Sequence, residues 1–155
     1  MGVEIERKFL VNKEKWELVE KPKGNHFRQG YLVTDPTKTI RVRITDSSSY
    51  LTIKGISVGA TRQEFEYEIP KIDAEQLLNQ FAVSDVKKIR YEILFDGKIW
   101  EVDEFFGENL GLLLAEIELE NESDIVELPD WIEREVTNEE NYYNSNLSIN
   151  PFLKW

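Results

Sequence analysis

Charged and apolar residues alternate through most of this chain, and a side-chain period of two belongs to β-strands rather than helices. The opening VEIERKFLV puts Glu4, Glu6 and Lys8 on one face and Val3, Ile5 and Phe9 on the other. The same alternation runs through HFRQGYLVT, KTIRVRIT, YLTIKGI, TRQEFEYEIP, VKKIRYEILF, KIWEVDEF and GLLLAEIELE, so about eight strands are expected. Asp35-Pro36, Asp46 followed by a run of serine, and Asp96-Gly97 mark tight connections, the last being a strong hairpin signal. Neighbouring strands should therefore run antiparallel. Helical patterns interrupt the alternation at NKEKWELVEK, at IDAEQLLNQFA and at TNEENYYNSNL. The second carries a capping-box spacing in Asp73 and Gln76, and the third repeats it with Thr137 and Glu140. ENESDIVELPDW reads as an acidic connection to the C-terminal helical piece.

An antiparallel sheet with one solvated face shows this alternation anyway. The signs of the charges go further, because they are grouped by strand. Arg41 and Arg43 share a face, as do Thr52 and Lys54, and Lys88 and Arg90; Glu64, Glu66 and Glu68, then Glu101 and Asp103, then Glu116 and Glu118 form acidic counterparts. Side-by-side carboxylates such as Glu4 and Glu6, about 7 Å apart, repel by on the order of 2 kcal/mol at an effective dielectric of about 20, and call for compensation by water, a cation or basic neighbours. A closed barrel would bring basic and acidic strands face to face, would remove exposed sheet edges, and with eight strands could enclose a small ligand. Arginine and lysine at alternate positions present donors to phosphate oxygens, while facing glutamates suit hard cations. Such a lumen fits a polyphosphate. The sequence has no phosphate-binding glycine loop and no serine–histidine pair, so the site would be built from strand side chains alone.

Composition narrows the chemistry. The length of 155 residues suits one domain spanning the whole chain, 1–155. Cysteine is absent and His26 is the single histidine, which excludes disulfides, thiolate catalysis and histidine or cysteine metal clusters. A metal site must use oxygen ligands, favouring magnesium, manganese or calcium. A net charge of -11 argues against a nucleic-acid partner, which needs clustered outward-facing bases. No apolar run is long enough to span a bilayer and the chain opens on a charged strand, so the expectation is a cytoplasmic protein with no membrane partner.

EIERK at the N-terminus resembles the ExExK signature of the CYTH superfamily, the triphosphate tunnel metalloenzymes. The resemblance extends in family order through RVR, TIK, EFEYEIP, KIRYE, WEVDEF and AEIELE, and EREVT followed by YYNSNL resembles the family's C-terminal end. It covers nearly the whole chain, and the short length is similar to compact bacterial members that hydrolyse inorganic triphosphate.

The resemblance implies an α+β fold: a closed eight-stranded antiparallel tunnel with a charged lumen, flanked by a few helices. It also implies a small-molecule triphosphate substrate and Mg2+ or Mn2+. Carried over by position, Lys8, Arg41, Arg43, Lys54, Lys88 and Arg90 match triphosphate-binding bases. Glu4, Glu6 and Glu118 match principal metal ligands, with Asp103 and Glu116 beside them; Glu64 and Glu66 fall in motifs where they would orient a base or position water. Glu68, Glu92, Glu101 and Glu120 read as barrel or rim charges.

Tyr31 in RQGYL matches a tyrosine that some short members pair with the lysine of TIK, here Lys54. Arginines crowding Lys54 would disfavour its charge and let the pair assist water activation. The rival is water orientation by a tunnel glutamate. His26 reads as structural or at the rim, and Arg134 either caps the tunnel or faces solvent, the latter being favoured. The aromatic residues opposite the charged faces should pack outside the barrel, where any apolar wall that the helices leave uncovered suits a homodimer interface. Thiamine triphosphatase and class IV adenylyl cyclase are alternatives on the same fold, and a catalytically silent polyphosphate or nucleotide sensor is the non-enzymatic one.

Overall fold

The alternating stretches become strands in a computed structural model that describes residues 2–155. In chain order these are β1 (Val3–Val11), β2 (Asn25–Val33), β3 (Lys38–Ile44), β4 (Ser49–Val58), β5 (Thr61–Glu68), β6 (Ser84–Phe95), β7 (Lys98–Phe105), β8 (Leu113–Glu118) and β9 (Ile132–Glu135). The first eight correspond to the expected set. β9, too short for its alternation to show in the sequence, is an addition.

The strands form one antiparallel sheet in the order β5-β4-β3-β2-β6-β7-β8-β1-β9, and a further β5–β1 pairing closes the first eight into a barrel. Closure divides one edge of β1 between two partners. Val3, Glu4 and Ile5 pair with Gln63, Arg62 and Thr61 of β5, whereas Phe9 and Val11 pair with Glu135 and Ile132 of β9. The β6–β7 hairpin turns at Asp96-Gly97, where both residues take positive φ (50° and 74°), as a two-residue primed turn requires.

Three helices flank the barrel: α1 (Lys13–Glu17), α2 (Lys71–Phe81) and α3 (Asn144–Ile149). Neither expected capping box forms. α2 starts directly after Pro70, whose fixed φ suits a helix entry, so Asp73 lies inside the first turn and caps nothing. Thr137 instead accepts a hydrogen bond from the Lys8 amide (3.0 Å) and donates one to Glu135, so it ties the chain to β1 and β9; α3 begins seven residues later, at Asn144. α1 has the side-chain cap: Asn12 Oδ1 accepts from the Lys15 amide at 3.0 Å.

The apolar core lies outside the barrel wall, as the alternation requires. Phe9, Trp100, Val102, Ala115 and Ile117 pack beneath Trp16 and Trp131, with edge-to-face aromatic contacts of 5.2 to 6.0 Å between centroids. On another side α2 seats Ala74 and Leu78 against Val42. Gly30 of β2 is required there, because a Cβ would stand 2.4 Å from Leu78 Cδ2 and 3.1 Å from Ala82 Cβ. Ile53, Phe65 and Tyr67 remain exposed on the outer wall of β4 and β5.

At one end of the barrel the inward positions turn apolar. Val86, Phe105 and Leu114 occupy the same faces as Lys88, Asp103 and Glu116, and they pack with Val136 and with Leu147 of α3. The C-terminal segment thus stoppers the lumen with a dry plug. Leu147 is fully buried, so Leu147→Ala should destabilise the fold by about 2 to 5 kcal/mol through lost transfer energy and a residual cavity. Urea unfolding measures this; an unchanged midpoint would show that the plug is not packed against the barrel.

Candidate active site

The inward faces of the strands enclose a polar cavity of about 230 Å³, room for several waters or one small polyanion. Every strand except β9 contributes at least one lysine, arginine, tyrosine or glutamate to its lining, β7 through Glu101. Glu4, Glu6, Lys8, Tyr31, Arg41, Arg43, Lys54, Glu64, Glu66, Lys88, Arg90, Glu116 and Glu118 all line it, so of the candidate site residues only Asp103 lies behind the lining.

The acidic sector is built by register. Glu6 pairs with Glu118 and Lys8 with Glu116 across β1–β8, and Glu101 pairs with Glu116 across β7–β8. Carboxylate oxygens of Glu6, Glu101 and Glu116 consequently lie within 4.8 Å of one another. At that separation each ionised pair repels by on the order of 3 kcal/mol at an effective dielectric of about 20. Glu116 is held well below the ordinary carboxylate range, because Lys8, Arg90 and Lys88 outweigh its burial. Burial, joined by the Glu116 and Glu4 charges, pushes Glu6 well above that range. Glu101 is likewise raised by burial, against the pull of Arg90. The three hard oxygen donors fit a divalent magnesium or manganese ion, whose charge would relieve this strain.

Two of the expected metal ligands are occupied otherwise. Asp103, fully buried, gives Oδ1 to Arg90 Nε (2.8 Å) and Oδ2 to both Arg90 Nη2 (2.9 Å) and Lys88 Nζ (2.7 Å). Three donors from two bases engage its two oxygens, so it acts as the counterion that fixes both. Glu4 Oε1 accepts from Lys54 Nζ at 3.1 Å, and that ammonium, overcoming burial, keeps Glu4 below its ordinary range. Glu118 is exposed at the rim. Conversely Glu101, expected to be a simple barrel charge, belongs to the acidic cluster.

The basic sector is under strain of the opposite sign. Arg43 has no carboxylate partner among the described residues, and burial together with Arg41 and Arg90 pulls its guanidinium down to about 9. Arg41 is buried, with Nη2 3.4 Å from Thr52 Oγ1 and 3.6 Å from Glu66, while its Nε has no hydrogen-bond partner. Burial pulls Lys88 down to about 7, opposed by Asp103 and assisted by Arg90. The arginine crowding expected at Lys54 therefore falls on Lys88. Lys54 instead stands between Glu4 and Glu64 (3.1 and 3.8 Å). Tyr31 is buried in the same lumen, but no hydrogen bond joins it to Lys54.

The C-terminal segment completes the wall. Lys8 Nζ donates to the Tyr142 carbonyl (3.1 Å), Lys88 Nζ to Asn144 Oδ1 (2.9 Å), and Thr137, Tyr143, Asn144 and Ser145 all border the cavity. Arg62 and Thr39 join them as polar lining that sequence reasoning did not single out. Arg62 had a visible signal, since it shares a face with Glu64 and Glu66. His26 and Arg134 stay outside, paired with Asp46 and Glu139 respectively.

A family model described as the CYTH domain matches residues 2–149. An inorganic triphosphatase of Acetivibrio thermocellus is 48% identical over 153 residues, covering 98% of this chain and 97% of the relative. One from Nitrosomonas europaea is 36% identical over 94% of this chain and 97% of its own length. Among solved structures, that of an inorganic triphosphatase superposes with a TM-score of 0.64 at 32% identity, over 96% of each chain.

The raised Glu6 carboxyl gives a signed pH dependence. The metal-free fold favours its protonated form, so its contribution to stability is intact below the unfolded-state value of about 4.3 and is lost as pH rises through the higher folded-state value. Metal-free Glu6→Gln should therefore melt above the wild type at about pH 8, with the gap closing towards about pH 4. Excess Mg2+ or Mn2+ should raise the wild-type midpoint more than the variant's. Scanning calorimetry checks both; a gap independent of pH contradicts the assignment.

Proposed function

The chain belongs to the CYTH family, and from that premise we propose that it hydrolyses inorganic triphosphate to pyrophosphate and phosphate inside the barrel, with Mg2+ or Mn2+. The observation that carries the proposal is the unpartnered, buried Arg41 Nε beside an Arg43 whose side-chain partner is the neutral Gln29 amide and not a carboxylate: an unmet donor and positive charge converge on the lumen. Phosphate oxygens are the complementary acceptors, and three linked phosphoryl groups present them in a row.

Arg41 and Arg43 would bind phosphate oxygens directly, and Lys8, Lys88 and Arg90, already fixed by Glu116, Asn144 and Asp103, would line the rest of the chain without needing to reorganise. Glu6, Glu101 and Glu116, with Glu118 and Glu4 at their flanks, would hold the divalent ion. When bound, such an ion neutralises charge on the phosphoryl oxygens and templates their orientation. Water attacks the terminal phosphorus, the bridging P–O bond breaks, and pyrophosphate leaves with the electron pair. The proton of that water passes to a lumen base. Tyr31 with Lys54 is one candidate acceptor; Glu64, raised by burial and by Glu4 and adjacent to Lys54, is the other, with Glu66 beside it. The exposed Ile53, Phe65 and Tyr67 offer the outer wall on which a homodimer would form.

Phosphate release from tripolyphosphate, ATP and thiamine triphosphate, with Mg2+ and Mn2+ compared and cyclic AMP followed separately, tests the substrate. Selective tripolyphosphate turnover is expected. Preference for an ester, cyclic AMP formation, or tight binding without turnover would move the protein to thiamine triphosphatase, cyclase or sensor respectively.

Removing a charge-assisted phosphate contact should cost roughly 1.5 to 3 kcal/mol, so Arg41→Ala should weaken tripolyphosphate binding by about one to two orders of magnitude. Lys23→Ala, outside the lumen, should leave it nearly unchanged. Calorimetric titration with calcium in place of the activating metal checks this, and equal losses at both positions would indicate a diffuse field instead.

Water activation separates from binding at Tyr31 and Lys54. If the pair takes the proton, Tyr31→Phe should lower kcat with little change in KM, and Lys54→Arg, which keeps the charge but cannot release a proton, should lose activity as well. Full activity in both would assign the role to Glu64 or Glu66.

A further inference from the structure

A neutral side chain is buried behind the wall of this charged lumen, among the residues that line it. Gln29 of β2 is completely buried and reaches three groups: its Oε1 accepts from Arg43 Nε (3.0 Å), and its Nε2 donates to Tyr31 Oη (3.2 Å) and to Asn144 Oδ1 (3.1 Å). The orientation of an amide is ordinarily ambiguous between its oxygen and nitrogen. Here chemistry fixes it. Arginine carries donors and no acceptor, so the atom facing Arg43 must be the oxygen, and the atom facing Tyr31 must be the NH2.

The consequence passes to the tyrosine. Because Gln29 donates to Tyr31 Oη, the phenol oxygen is an acceptor in that contact, and its own proton cannot point at Gln29. The phenol O–H is turned away from the amide, on a side chain that borders the cavity. The same amide holds Arg43, which has no carboxylate to anchor it. Asn144 locks the arrangement from the opposite side: its Oδ1 takes one donor from Gln29 and another from Lys88 Nζ (2.9 Å). One buried amide thus couples a phosphate-binding guanidinium, the phenol, and the lysine fixed by α3.

We propose that Gln29 is a positioning residue for the triphosphatase reaction, holding Arg43 for the substrate and directing the Tyr31 hydroxyl proton into the lumen. This rests on the function proposed above. It assigns two separable effects to one side chain: an effect on binding through Arg43 and an effect on turnover through Tyr31.

The test is a double-mutant cycle with a spectroscopic arm. Gln29→Met keeps the volume and removes both donor and acceptor; it should raise KM for tripolyphosphate and lower kcat, each by about tenfold, the effect of one buried hydrogen bond to a charged or reacting group. In the Tyr31→Phe background the same change should raise KM again but lower kcat no further. Gln29→Glu, which keeps an acceptor for Arg43 but places a second acceptor against the phenol oxygen, should also lower kcat, and supplies the comparison if Gln29→Met folds poorly. In parallel, with tyrosine labelled at Cζ with carbon-13, Gln29→Met should shift the Tyr31 resonance in the substrate-free protein and leave the other tyrosines in place. Additive losses of kcat in the double variant, or an unmoved Tyr31 resonance, would overturn the proposal. A wild type that turns over no tripolyphosphate, with the Tyr31 resonance still responding to Gln29, would overturn the proposed function and support the contact.

Discussion

Charges turned into a closed barrel cannot retreat to bulk water, and the arrangement of this lumen follows from that constraint. A buried ion is tolerated only when partnered, and an ion pair is tolerated only when its remaining donors and acceptors are also met. The wall around β6 and β7 meets this condition from within: Asp103 is saturated by Arg90 and Lys88, and Lys88 is further held by Asn144. Two other sectors meet it only in part. Glu6, Glu101 and Glu116 crowd three carboxylates around the cations of Lys8 and Arg90, and Arg41 and Arg43 bring an unmet Nε donor and a guanidinium that no carboxylate partners. Residual strain of opposite sign on facing walls is what a metal–polyanion pair would discharge.

The same constraint explains why the C-terminal segment matters. Strands alone leave one end of the lumen open to water, which would screen the charges and weaken every contact in it. The chain returns after β9, packs Val136 and Leu147 against inward apolar side chains of β6, β7 and β8, and offers the Tyr142 carbonyl and Asn144 side chain to the lysines beside them. Exclusion of water and fixation of Lys8 and Lys88 are consequences of one packing event, so the plug links fold stability to the preorganisation of the site.

Most of this architecture could be read from the sequence because a strand's period of two is unambiguous once charge marks one face. Face was legible, whereas depth and partner were not. Glu101 and Asp103 share a strand and a face and both pair with Arg90, yet Asp103 stands opposite Arg90 and is engaged by Lys88 as well, whereas Glu101, reached only by Arg90 Nη1 (3.0 Å), stands opposite Glu116 and joins an acidic cluster. Register across neighbouring strands decides that difference, and a linear sequence does not state it. The arginine crowding expected at Lys54 fails for the same reason: Glu64 is its cross-strand neighbour and Glu4 reaches it from β1. The expected caps at Asp73 and Thr137 failed because Pro70 already starts one helix and because Thr137 found a tertiary partner in Lys8. Gln29 carried no signal at all, being an uncharged residue in a pattern recognised by its charges.

Segregated charge that receives a triphosphate on one wall and a divalent ion on the other is the central claim. Anomalous diffraction from crystals soaked with Mn2+ and tripolyphosphate tests it most directly. The account predicts a manganese peak at the Glu6, Glu101 and Glu116 carboxylates inside the barrel, with phosphate density against Arg41 and Arg43. Manganese confined to exposed carboxylates such as Glu120 or Glu122, with no phosphate in the lumen, would contradict it.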